Sequence, residues 1–157
     1  MRIIFVIITL IVASNTAYAQ QHLVKSVSYY ASLRGNETNV RAGPGQNYPI
    51  KFTYKIRGVP IHVVSEFDNW YEIEDYQKHT GWVMQNLVTK KRSLMVTTKK
   101  PMIDMYRKNN EKSRLVFHLK NHVIADYVGC DENWCAAKVN GKKGWIKRSE
   151  LYGSDDE

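Results

Sequence analysis

Helical periodicity is what this 157-residue chain most conspicuously lacks. Beyond its first dozen residues, no stretch repeats apolar side chains every three or four positions for long enough to bury one face of a helix. Long apolar runs are missing as well: after Ile3 to Val12 nothing is greasy enough to insert, and a membrane span needs about 20 apolar residues. Acidic residues are scarce, 15 against 23 lysines and arginines, which gives a net charge of +8. Cysteines are scarcer still. Cys130 and Cys135 are the only two, and none stands where a lipoprotein anchor would need one.

What is present begins with a leader. Arg2, the short apolar core Ile3 to Val12 and the small-x-small triplet Ala17-Tyr18-Ala19 predict a secretory signal cleaved after Ala19, so no membrane span remains after cleavage. An exported basic protein meets anionic polymers: cell-wall glycan peptides, phospholipid headgroups or lipopolysaccharide. Nucleic acid is scarce outside the cytoplasm and is not expected as a partner.

The rest of the chain is written twice. Trp70 recurs as Trp134 and Trp82 as Trp145, 64 and 63 residues apart, and "KHTGWVMQNLV" (Lys78 to Val88) answers "GKKGWIKRSEL" (Gly141 to Leu151). That period is the size of a small domain, which on its own would bury only about 60% of its unfolded surface and so leans on its neighbour or on a disulfide. Between turn signals the chain reads as short strands. Trp70 to Tyr76 alternates, with Tyr71 and Ile73 facing one way and Trp70, Glu72 and Glu74 the other. Asp68-Asn69 is a tight turn before it, and Asn140-Gly141 is a hairpin signal in the second unit. The expected fold is therefore all-β: two small antiparallel barrels in tandem. The segments are 1–19 (signal), 20–31 (lead-in), 32–90 (first barrel), 93–153 (second, divergent barrel) and 154–157 (acidic tail). Lys90-Lys91-Arg92 is the only linker, and its brevity predicts barrels that touch. In each Gly-Trp pair, Gly81 and Gly144 permit a positive φ or a close backbone approach, the tryptophan covers the sheet, Val83 or Ile146 enters the core, and Leu87 or Leu151 plugs the barrel's end.

Three stretches together carry a resemblance: "TNVRAGPGQNYPI" (Thr38 to Ile50), "IRGVPIHVVSEFDNWYEI" (Ile56 to Ile73) and "HTGWVMQNLV" (His79 to Val88). They resemble a bacterial SH3 domain of the type found in exported and cell-wall proteins. The second unit resembles the same family through "CDENWCAAKVNGKKGWIKRSELYG" (Cys130 to Gly153), but "IDMYRKNNEKSRLV" (Ile103 to Val116) lacks the Asn-Val-Arg strand and the Gly-Pro loop. The resemblance implies SH3-like barrels and a ligand in peptidoglycan, specifically its short stem and bridge peptides. Domains of this family usually target catalytic domains, and no such domain is recognisable here.

No catalytic constellation converges. Cys130 and Cys135 flank a turn in an exported chain, which favours a disulfide; the rival is a zinc site with His118 and His122, whose spacing suits a helix face that this stretch does not form. A Cys-His nucleophile would need a free thiolate, and no motif of the wall endopeptidases that use one is present. Glu72, Glu74 and Asp75 could offer paired carboxylates, but alternating acids on a strand face are expected to be solvated. "RAGPG" lacks the strand-to-helix setting of a phosphate loop. No cofactor, metal or catalytic residue is therefore expected, and the chain reads as a binding protein. In the first unit Tyr48, Tyr54, Trp70 and Trp82 are expected to line a shallow groove with Asn39 and Arg41 at its edge, because aromatics with polar tips bring large contact area at low entropic cost. Arg41 either holds a carboxylate or braces the loop. Trp70 is expected to point outward as the anchor, with wall peptides as its partner; the alternative is a periplasmic or secreted adaptor docking an envelope protein through the same groove or the inter-barrel face.

Overall fold

The computed structural model describes residues 23–155; the signal segment 1–19 and the last two residues of the acidic tail lie outside the described residues. α-Helix is absent among those described. The first barrel is built from β1 (Lys25–Leu33), β2 (Thr38–Arg41), β3 (Ile50–Tyr54), β4 (Pro60–Phe67), β5 (Trp70–Glu74), β6 (Thr80–Met84) and β7 (Val88–Thr89). The second follows as β8 (Ser93–Val96), β9 (Met102–Tyr106), β10 (Leu115–Lys120), β11 (Ile124–Cys130), β12 (Trp134–Val139), β13 (Lys142–Lys147) and β14 (Leu151–Tyr152). A single 3-10 turn precedes the last strand of each. The sheet orders, β3-β2-β6-β5-β4-β1-β7 and β10-β9-β13-β12-β11-β8-β14, correspond position for position, so the written repeat is a structural one. The first sheet starts at Lys25, inside the segment 20–31, because β1 pairs antiparallel with β4 from Lys25 onward.

Alternation sets the cores. Val40, Ile61, Val63, Ile73 and Val83 are fully buried in the first barrel, and Ile103, Met105, Ala137 and Ile146 fill the equivalent space in the second. The turns follow the sequence signals: Asn140 and Gly141 both have positive φ, 48° and 77°, as a two-residue hairpin matched to strand twist requires. Gly81 and Gly144 are not left-handed. They lie within β6 and β13 where a neighbouring strand crosses close: a Cβ on Gly81 would stand 2.9 Å from the Arg41 carbonyl oxygen, and one on Gly144 would stand 2.8 Å from that of Tyr106. Close approach, and not turn geometry, is why both units write Gly-Trp. The end plug is Leu151 in the second barrel but Val88 in the first; both follow their Gly-Trp tryptophan at the same interval, and Leu87 sits one residue earlier, half-buried in the 3-10 turn.

The barrels touch along a polar and aromatic joint. Met95 of β8 belongs to the first barrel's core, and Ile124 packs on it. Ser32 and Ser93 hydroxyls meet at 2.8 Å, with Ser32 donating to Lys91 O and Ser93 to Gly58 O, both at 2.6 Å. Arg92 of the linker stacks over Tyr127 (4.2 Å) and Tyr30 (5.6 Å) and donates to the carbonyls of Gly153 and Asp155. Tyr152 donates to Glu74 O at 2.9 Å and meets the rings of Tyr30 and Tyr76 edge-on. The expected disulfide closes the β11–β12 turn, Cys130 to Cys135 with Cα atoms 4.0 Å apart. The histidines of the rival zinc reading go elsewhere: His118 Nδ1 lies 2.7 Å from Asp104 Oδ1, and the His122 ring packs against Tyr76.

Candidate binding site

Strand alternation divides the six expected groove residues between two surfaces. On β2, Thr38 and Val40 turn inward while Asn39 and Arg41 turn out. Asn39 faces Thr53 of β3 and its Oδ1 accepts the Thr53 hydroxyl at 2.7 Å. Arg41 lies opposite Trp82, and Trp82 opposite Glu72, so the three form a row across the outer face of β2, β6 and β5. Arg41 Nη1 donates to the carbonyl of Tyr48 at 2.8 Å, which fastens the Gly43-Pro44-Gly45 loop to the sheet. Tyr48, 43% exposed, lays its ring on that loop: a Cβ on Gly43 would come within 2.5 Å of it. Arg41 thus braces the loop, and Tyr48 with half-buried Trp82 marks an exposed aromatic corner beside it.

Trp70 is corrected by the structure. Alternation does place it on the face away from Ile73, yet the residue is only 9% exposed. In register, Phe67 of β4 stands on one side of it and Met84 of β6 on the other. Directly paired side chains on one face of an antiparallel sheet lie about 5 Å apart, so the three apolar groups cover one another. An anchor that must offer a ring face to a ligand cannot be this residue.

Tyr54 belongs to a different surface. It and Phe52 sit on the inner side of β3, packed against the first core, with their rings edge-to-face at 5.4 Å. The Tyr54 hydroxyl donates to Asp75 Oδ2 at 2.7 Å, and burial together with that carboxylate pushes the phenol's pKa up. Asp75, expected to be solvated, is 2% exposed: its Oδ1 accepts the backbone N–H groups of Gln77 (2.8 Å) and His79 (2.9 Å), and His79 Nδ1 lies 3.3 Å from Oδ2. The reason is the β5–β6 turn, where Lys78 has φ 65° and the backbone donors must be met from within. Glu74 is half-buried and paired with Lys78 at 2.8 Å. These acids hold a turn and a strand face.

Around Tyr54 opens a groove of about 590 Å³, with half-buried Phe52 and Tyr54 as its floor and Asp75 to Thr80 along one side, where Lys51 Nζ donates to Thr80 O. The exposed rim carries Lys51, Lys78 and His79. Phe52 tilts against the His79 ring at 5.9 Å, and Tyr76 links the groove to the inter-barrel joint through His122 and Tyr152. Sequence reasoning found Tyr54 here and missed Phe52, Asp75, Tyr76 and His79. An acid four residues before a histidine, across a Lys-bearing turn, was the available signal. The volume lies within the usual range of about 300–1,000 Å³ for small-ligand sites, and the chemistry, aromatic floor and cationic rim, suits a short chain ending in or bearing carboxylates.

A family model described as a bacterial SH3 domain matches residues 34–90 and again 99–153. A Bacillus subtilis (strain 168) protein named "Putative N-acetylmuramoyl-L-alanine amidase YrvJ" is 24% identical over 151 residues, 90% of this chain but 29% of that protein. Among solved structures, NlpC2 from Trichomonas vaginalis is similar at 9% identity and a TM-score of 0.37, covering 81% of this chain and 48% of its own. An NlpC/P60 family protein from Bacillus cereus ATCC 10987 gives 11% identity and a TM-score of 0.35, covering 80% and 57%. The chain therefore spans under a third of the amidase's length and about half of each solved chain.

Proposed function

Because the chain belongs to the bacterial SH3 domain family, we propose that it is a non-catalytic envelope binding protein that recognises peptidoglycan through short wall peptides. The observation that carries this reading is the groove on the first barrel. Its floor offers the half-buried rings of Phe52 and Tyr54 to apolar side chains, and Lys51 and Lys78 on its rim complement the carboxylates that wall peptides bear. The exposed corner of Tyr48 and Trp82 extends the recognition surface on the neighbouring face.

Export supports the same reading, since the leader predicted over residues 1–19 delivers a basic protein to an anionic wall. The similarity to a protein named a putative N-acetylmuramoyl-L-alanine amidase supports a targeting role, with the chain corresponding to a minor part of that relative. Co-sedimentation of the full chain with purified sacculi tests it. Binding without release of soluble fragments is expected. Release of fragments would make the protein a hydrolase, and a chain that stays in the supernatant would leave the adaptor reading in its place.

A further inference from the structure

The two barrels treat the same tryptophan differently. Trp70 and Trp134 each open the strand after a tight turn, Asp68-Asn69 in one and Glu132-Asn133 in the other. The residues covering Trp70 are Phe67 and Met84; the residues in those places beside Trp134 are Asp131, whose N–H donates to Trp134 O at 2.8 Å, and Lys147, its cross-strand partner. Two apolar lids are thus replaced by charged side chains, and the ring is half-buried instead of covered. Asp131 is held by its turn, its Oδ1 accepting the N–H groups of Asn133 and Trp134, and cannot swing over the indole.

This ring lines a hollow of about 630 Å³, and a second hollow of about 200 Å³, lined by Tyr106, shares Glu111 and Lys147 with it. Tyr106 stands edge-on to Trp134 at 5.9 Å and donates its hydroxyl to Asp104 at 3.0 Å, so the two rings meet where the hollows adjoin. The carboxylates around the hollows are Asp104, Glu111, Glu132, Glu150 and Asp155, against the cations Lys100, Lys147 and Arg148. In a chain of net charge +8 this excess of acids is local and reverses the general sign. Lys100 pairs with Glu150 and holds that carboxyl below its ordinary range; Lys147 pairs with Glu111, and both partners of that second pair are well exposed, so a competing cation exchanges with Lys147 readily.

We infer that the Trp134 cleft of the second barrel is a separate binding site for a primary ammonium group on a short aliphatic stem, the lysine-type side chain of a wall peptide. The exposed part of the half-buried indole receives the stem in the hollow it lines and attracts the cation, and Glu111, which borders that hollow, accepts the ammonium N–H bonds. The inference rests on the wall-binding reading and deepens it: the first barrel takes the carboxylate-bearing part of such a peptide and the second takes its amine.

The test is a titration of the full chain with N-acetyl-Ala-Lys-Ala amide, followed by the indole N–H signals in NMR, with the Trp134 signal identified by Trp134→Phe. The Trp134 signal should move saturably with this peptide and stay still with the same peptide acetylated on its lysine nitrogen. Glu111→Gln, on an exposed loop where the fold does not depend on it, should weaken the affinity about threefold while the other indole signals keep their positions. An unmoved Trp134 signal, or an equal shift with the acetylated peptide, overturns the inference. Sacculus sedimentation of the same sample separates the two readings. Bound sacculi with an unmoved Trp134 signal sink the amine site alone; a moving Trp134 signal with sacculi left free sinks the wall reading and leaves the amine site standing.

Discussion

Replacing Trp70 by alanine separates a buried ring from a ligand anchor. The residue is 9% exposed, with Phe67 and Met84 in register on either side, so truncation leaves a hole the size of an indole between two hydrogen-bonded strands. Strands tied by ladder bonds cannot close over such a hole, and large-to-small changes of this kind cost about 3–5 kcal/mol. For a chain of this size that lowers the melting temperature by roughly 10 °C or more. Trp134→Ala, at a half-buried position, should cost distinctly less. Calorimetric melting of both variants against the wild type checks this, with sacculus binding measured below the transition. Should Trp70→Ala melt within about 2 °C of the wild type and yet lose sacculus binding, the covered ring described here is wrong and Trp70 is an exposed anchor after all.

Further consequences follow from individual contacts. Protein recovered oxidised should have no alkylatable thiol, and Cys130→Ser with Cys135→Ser should destabilise by about 2 kcal/mol, because the bridge closes only a short loop; two free thiols by mass spectrometry would contradict the bridge. Tyr54→Phe deprives buried Asp75 of a donor, which should cost about 1–3 kcal/mol and lower the urea midpoint at unchanged slope; an unmoved midpoint would mean that water replaces the hydroxyl without loss. Burial, with the nearby Asp155 carboxylate, pushes the Tyr30 phenol up to about 12, above its ordinary 10.0. A raised folded-state pKa contributes stability that is complete below the unfolded value and fades as pH climbs through the folded one, so Tyr30 should weaken the joint between about pH 10 and 12. Tyr30→Phe should blunt alkaline unfolding in that window, followed by phenolate absorbance and circular dichroism together.

Much of the fold was legible because its cause is local. Asn140-Gly141 dictates its own turn, Val83 and Ile146 follow from alternation, and the doubled Gly-Trp pairs foretold two equivalent barrels. Trp70 was misjudged because alternation tells which face a side chain takes but not what stands beside it; Phe67 and Met84 become neighbours only through register. The sequence pattern of Asp75 predicts a solvated acid because its donors come from a turn whose closure no pattern announces. Side-chain size favours Leu87 as the plug, although the interval from the Gly-Trp tryptophan points to Val88. Of the groove, only Tyr54 was named in advance, since Phe52 and His79 meet it through the pairing of β2 with β3 and the fold of the β5–β6 turn.

The groove assignment meets its most direct test in a sacculus-binding isotherm of the Lys51→Glu, His79→Ala double variant, first shown to melt like the wild type. Both side chains are exposed on the rim, yet His79 contacts buried Asp75 and Lys51 donates to Thr80 O, so matched melting is the condition for comparing binding. Reversing the Lys51 charge and removing the His79 ring should weaken binding of a carboxylate-bearing peptide about tenfold at low salt, and raising salt from about 0.05 to 0.5 M should bring the wild type towards the variant. Binding equal to the wild type at every salt concentration would contradict the assignment of wall recognition to the groove of Phe52, Tyr54 and His79.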